Sequence, residues 1–149
     1  MGSRQYSDPT YGGHHTVSFI TDDILTATNA SEAAVGAVKF MFPCQVISAN
    51  ITAVSTCEDL TTATGWVLSH RLAGATGCTA FGTADLLGAT AAWAPGAFID
   101  DFTQTGAGGL PMTFASGDEC VLELEGTSEV AGVFQVNLEV VENFVESDT

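Results

Sequence analysis

From Cys120 to Val140 apolar and polar side chains take turns along the chain. Cys120, Leu122 and Leu124 fall on one side of an extended backbone, with Glu119, Val121, Glu123 and Glu125 on the other. Val130, Phe134, Val136, Leu138 and Val140 repeat the pattern against Gln135, Asn137 and Glu139. A period of two belongs to a strand with one face buried, and no helix can satisfy it. With Ser116-Gly117-Asp118 turning before the first run and Gly126–Glu129 turning between the two, the segment predicts a hairpin.

Other stretches follow the same rule. Cys44 to Ser55 alternates, with Ile47, Ala49, Ile51 and Ala53 on one face and Ser48, Asn50 and Thr52 on the other. Val35 to Phe42 is a nearly continuous apolar run, as a strand covered on both faces would be, and Pro43 ends it. His15 to Ile20 is short and β-rich, and Trp66, Leu68 and Leu72 share a face with His70 between them. Thr83 to Trp93 is compatible with a helical turn or two, which Gly88 weakens. Phe98, Phe102 and the Leu110–Met112–Phe114 set predict two more short strands, joined by a glycine-rich loop tip. The count is about eight strands, which predicts an all-β chain: an antiparallel β-sandwich or jelly roll over residues 17–149 as one domain. Residues 1–16 (MGSRQYSDPTYGGHHT) carry no period and read as an extended N-terminal arm.

Charge removes whole classes of partner. Eighteen Asp and Glu oppose three cations (Arg4, Lys39, Arg71), a formal net charge of −15. Binding a nucleic acid requires a basic patch that displaces counterions from phosphates, so none is expected, and an anionic membrane surface would repel the chain. No run approaches the ~20 apolar residues of a membrane span. The first 16 residues have neither the basic start nor the apolar stretch of a secretory signal, so synthesis in a cytosol without general export is expected. With 46% hydrophobic residues, the chain has the means to bury a core.

Catalytic machinery is not written into the chain. A Ser or Cys nucleophile needs a base within hydrogen-bond reach. His14 and His15 fall in the predicted arm, and His70 is read as a half-buried ring filling space beside Trp66. Four cysteines (44, 57, 78, 120) show no CxxC or CxxH spacing, so no zinc site is expected. Cys120 reads as a buried thiol, and Cys57 and Cys78 fall near loops where pairing is open to them. Asp22-Asp23, Asp100-Asp101 and Glu58-Asp59 offer oxygen ligands for calcium or are solvated turns, and adjacent strand positions pointing to opposite faces favour the turns. GAGG at 106–109 lacks the lysine and the strand-to-helix context of a phosphate loop. Neither cofactor nor metal is expected. What remains is recognition: Arg4, Tyr6 and Tyr11 in the arm, and Trp93 in an Ala-rich stretch before Pro95-Gly96, are the candidate partner-contacting residues.

Two segments, VKFMFPCQVISANITAV and FASGDECVLELEGTSEVAGVFQVNLEVVE, resemble small β-sandwich or jelly-roll domains of tailed-bacteriophage virion proteins. The resemblance rests on Phe40, Phe42 and Pro43, and later on Gly117, Asp118, Leu122, Gly126 and Gly132. It implies a virion structural protein located on the capsid surface. The chain lacks a shaft, heptads or collagen-like repeats, which favours a head decoration (cement) protein over a fibre. The implied partner is the major capsid protein, and the implied assembly is a homotrimer. The alternative is a tail-associated or receptor- or glycan-binding module.

Overall fold

The computed structural model describes residues 14–24, 33–57, 65–85, 94–99, 103–104, 109–125 and 132–142. They form ten strands: β1 (His14–Ile20), β2 (Ala33–Lys39), β3 (Cys44–Ala53), β4 (Gly65–Arg71), β5 (Thr79–Asp85), β6 (Phe98–Ile99), β7 (Thr103–Gln104), β8 (Met112–Phe114), β9 (Glu119–Glu125) and β10 (Phe134–Glu142). Two five-stranded sheets result, one ordered β1-β10-β3 with β6 and β8 sharing the far side of β3, the other β2-β9-β4-β5-β7. Every pairing is antiparallel.

The pairs β1·β10, β2·β9, β3·β8 and β4·β5 describe one long hairpin whose tip is the 72–78 connection. Rolling that hairpin up lets β10 pair with β3 and β9 with β4. This is the jelly-roll arrangement, in which successive strands, β4 and β5 at the tip excepted, cross between sheets, and it accounts for the all-β sandwich expected from the alternation.

The fold changes several local expectations. β9 and β10 do not form a hairpin; they lie in different sheets and face each other across the core. Alternation fixes which side of a strand turns inward but carries no information about its lateral neighbour. Leu72 lies beyond the end of β4 and is 60% exposed, so it does not join the face of Trp66 and Leu68. β1 takes in His14, His15 and Thr16, so the strand begins inside the stretch read as an arm. Thr83 to Asp85 belong to β5 and are not helical, and residues 86–93 lie outside the described residues. β6 and β8 occupy the places expected for two short strands, and β7, at the start of the loop expected between them, adds a third that pairs with β5 in the other sheet.

Between the sheets lie Val46, Ile51, Phe134, Val136, Leu138 and Val140 from one side and Trp66, Leu68, Phe81, Cys120, Leu122 and Leu124 from the other, all buried. Each large apolar side chain removed from water contributes about 1.5–3 kcal/mol. The rings of Trp66 and Phe134 cross edge to face at 5.0 Å, and Phe114 takes Phe40, Phe81 and His70 around it. Phe19 closes one side of the sandwich against Gly36, where a Cβ would lie 3.0 Å from its ring.

Candidate functional site

The register places one end of the sandwich in view as a unit. His14, Lys39, Cys44, Arg71, Thr79, Phe114, Glu119 and Glu142 are the terminal residues of their strands there. Three connections close this end: 40–43, 72–78 and 115–118. Asp118 ties them together. Its carboxylate accepts hydrogen bonds from the backbone N–H of Ala73 and of Ala115, both at 3.0 Å, and lies 2.7 Å from His70 Nε2. Its backbone carbonyl accepts from Phe40 N–H at 2.9 Å, and Gly117 N–H donates to the Phe40 carbonyl at 2.7 Å. Gly117 adopts φ +92°, a left-handed conformation that glycine enters without a steric penalty. Ser116 Oγ donates to the Met41 carbonyl. Burial works to raise the Asp118 pKa, but the bond to His70 and the two backbone donors outweigh it and hold the carboxyl below its ordinary value.

On the surface of this end stand Met41, 75% exposed, and Leu72, 60% exposed. Beside them Arg71 pairs with Glu119, and the pairing register sets Lys39 on the other side of Glu119. Every Lys, Arg and His among the described residues (Lys39, Arg71, His14, His15, His70) lies within the last three rows of this end. Glu119 pairs there with Arg71, Asp118 and Glu139 have the rings of His70 and His14 as contacts, and Glu142 stands at the same end. The opposite end carries Asp22, Asp23, Asp85 and Glu125, with no Lys or Arg among the described residues. Asp23 there accepts from Gly132 N–H at 3.1 Å.

The outer face of the β1-β10-β3 sheet is a second open surface. Asn137 is its hub: Oδ1 accepts from Ser18 Oγ and from Gln135 Nε2, and Nδ2 donates to Asn50 Oδ1, all at 2.8 Å. One row along, Glu139 accepts from Ser48 Oγ at 3.0 Å and lies 3.0 Å from His14 Nε2. On the outer face of the other sheet Val67, Ser69, Val121 and Glu123 of β4 and β9 are all buried, whereas Ala37 of β2, in the row of Val121, is exposed.

Neither histidine arrangement is that of a nucleophile and its base. In the Ser48–Glu139–His14 row the carboxylate stands between hydroxyl and imidazole, so the imidazole does not face the hydroxyl. Cys120 lies opposite His70 in register, but it is fully buried, and that burial pushes its thiol well up. It remains protonated at neutral pH. Among the described residues no group of three His, Cys, Asp or Glu side chains is placed to hold a metal ion. None of the four cysteines is in a disulfide; Cys57 is buried and Cys78 exposed.

Of the expected contact residues, Arg4, Tyr6, Tyr11 and Trp93 lie outside the described residues, as do Glu58-Asp59 and Asp100-Asp101. The clamp at Asp118 escaped sequence reading because Ser116-Gly117-Asp118 announces only a turn. The available signal was His70, alternating inward with Trp66 and Leu68, since a half-buried imidazole calls for a polar partner.

Fold and site together define a jelly-roll domain whose described surface offers one end that gathers the described cations and one polar sheet face. No family model and no curated protein matches the chain. Among solved structures it is similar to the N-terminal CBM22-1–GH10 modules of Clostridium thermocellum endo-1,4-β-D-xylanase 10B, crystallised with xylohexaose, at 9% identity and a TM-score of 0.31. The match covers 92% of this chain and 27% of that one. A TM-score at that level supports no functional argument.

Proposed function

We propose that this chain is a virion structural protein that decorates the outer surface of a phage head and docks on the major capsid protein by its turn end. The observation that supports this reading is the concentration of features there. Exposed Met41 and Leu72 stand there beside Lys39 and Arg71 and among carboxylates held by Arg71, His70 and His14, while the opposite end has no Lys or Arg among the described residues. A protein of net charge −15 repels an acidic surface over most of its own, so the end that gathers the described cations beside exposed apolar side chains is the part that can approach a shell. β1 begins at this same end, so the segment carrying Arg4, Tyr6 and Tyr11 joins the sandwich beside the proposed contact. Binding only the assembled shell stabilises it by linkage, without any chemistry.

Co-sedimentation of the full chain with expanded, DNA-filled heads tests the reading. Saturation at a fixed copy number is expected, and the Met41→Asp/Leu72→Asp pair should lower occupancy at least tenfold. No binding by the wild type overturns the decoration reading, and undiminished binding by the variant overturns the turn end as its site.

The Asn137 hub gives a glycan-binding reading a specific foothold, because amides and hydroxyls in a row on a flat face match sugar hydroxyls. Against it, the hub's donors and acceptors are already satisfied by Ser18, Gln135 and Asn50. Binding of the protein to host-surface glycans, abolished by Asn137→Leu or by Trp93→Ala, would favour this second reading.

A further inference from the structure

β1 is an edge strand, pairing with β10 on one side only. Its open side can be identified residue by residue. Thr21 N–H donates to the Phe134 carbonyl at 2.8 Å, continuing the register in which Phe19 faces Val136 and Val17 faces Leu138. Odd-numbered residues therefore direct their backbone groups toward β10, and even-numbered ones direct theirs away. Asp22, the next even position, confirms the direction: its N–H leaves β10 and donates to the Val35 carbonyl of β2. His14, Thr16, Ser18 and Ile20 thus turn their N–H and C=O groups to an edge that no described strand occupies, and all four residues are exposed.

Long edges are normally blunted by a bulge, a proline, a lysine or brevity. The other described edges are treated in these ways. β2 has a register shift between Ala34 and Gly36 and carries Lys39. β6 and β7 have two residues each and β8 has three. β1 has none of these devices: seven residues, HHTVSFI, in unbroken register, without Pro, Lys, Arg, Asp or Glu.

We infer that β1 is an assembly edge, on which β1 of a second copy of this chain pairs antiparallel about a two-fold axis through Val17, a dimer in place of the homotrimer that the resemblance implies. The strand is complementary to itself in that register. Thr16 faces Ser18 of the second copy, His15 faces Phe19, and His14 faces Ile20, so its 60% exposed side chain gains a neighbour. Such an isologous pairing uses one edge twice and closes at two copies. The Ser18–Asn137–Asn50 row then runs on across the axis as one polar face. Lack of carboxylates is what makes this edge suitable in a chain of charge −15, and salt, which screens the repulsion between the two bodies, strengthens the pairing. The pairing does not depend on what the turn end binds.

Light scattering on the full chain over a range of concentrations and salt tests it. A dimer is expected, more stable at high salt, with slowed deuterium exchange at the amides of Thr16 and Ser18. Thr16→Pro removes one outward N–H and none directed at β10, so it should give a folded monomer. Val17→Cys, placed in a Cys78→Ser background, should oxidise to a covalent dimer, since facing residues of a non-hydrogen-bonded pair lie about 4.5 Å apart. A monomer at all concentrations, a trimer, a Thr16→Pro protein that still dimerises, or a Val17→Cys protein that does not cross-link overturns the inference.

Discussion

His70 and Asp118, 48 residues apart in the chain, meet at 2.7 Å and lock the tip of the rolled hairpin to the turn that starts β9. The imidazole comes from the inward face of β4 and rests on the Phe114 ring at 4.5 Å, while the carboxylate fastens Ala73 and Ala115 by their N–H groups. Truncating Asp118 to Ala leaves two backbone donors and a ring nitrogen without their acceptor. Charge-assisted hydrogen bonds of this kind contribute about 1.5–3 kcal/mol, and stranded donors add to the loss. Asp118→Ala should therefore cost about 3 kcal/mol and lower Tm by about 10 °C. Calorimetry checks it, and a Tm within 2–3 °C of wild type would show that the clamp is dispensable.

The same carboxyl makes stability depend on pH with a definite sign. Its folded pKa is depressed below the ordinary 3.8, so the folded state holds the carboxylate more firmly than the unfolded chain does. The contribution is complete above the unfolded value and is lost as pH falls through the lower, folded one. The Tm difference between wild type and Asp118→Asn should thus narrow as pH drops below about 4. A difference that widened on acidification would place the stabilisation elsewhere.

Much of the inward face was legible in sequence, because alternation is a local signal. Ala49, Ile51, Leu122, Leu124, Val136 and Leu138 all point where their periods put them. Lateral pairing was not, since β1 joins β10 across more than a hundred residues and nothing local in either strand names the other. The Gly126–Glu129 turn between two alternating runs looked like a hairpin loop, but here it lies between strands of opposite sheets. The turn end was legible only in part. Arg71 and Lys39 appeared as isolated cations; their convergence on Glu119 required the β2·β9·β4 register.

Gly132 marks a second place where packing decides. A Cβ built there would stand 3.1 Å from Cys57 Cβ, Cys57 Sγ and Phe134 Cε2, and the Gly132 carbonyl accepts from Ile24 N–H at 2.9 Å. Three such contacts in a buried position require Cys57 and Phe134 to give way by a few tenths of an ångström. Gly132→Ala should cost about 1–3 kcal/mol by overpacking, measured as a shift in denaturant midpoint at unchanged slope. An alanine variant as stable as wild type would mean that the 132–134 segment yields more readily than its contacts indicate.

The thiols give the final test, because three are buried and one is not. Cys44, Cys57 and Cys120 are fully buried, so a folded protein should shield them from an alkylating reagent. Cys78 is exposed, yet partial burial and then the neighbouring Glu123 carboxylate, which accepts its S–H, raise its pKa to about 11. A carboxylate beside a thiol opposes the thiolate, and the thiolate is the form that reacts. Native protein at pH 8 should therefore take up one label, more slowly than an unstructured cysteine, and Glu123→Gln should quicken it several-fold. Unfolding in denaturant should release all four thiols for rapid labelling, since none is in a disulfide. Fewer than four labels after unfolding would reveal a disulfide in the mature protein, while fast native labelling at Cys78 would break the link drawn between its position beside Glu123 and its inertness.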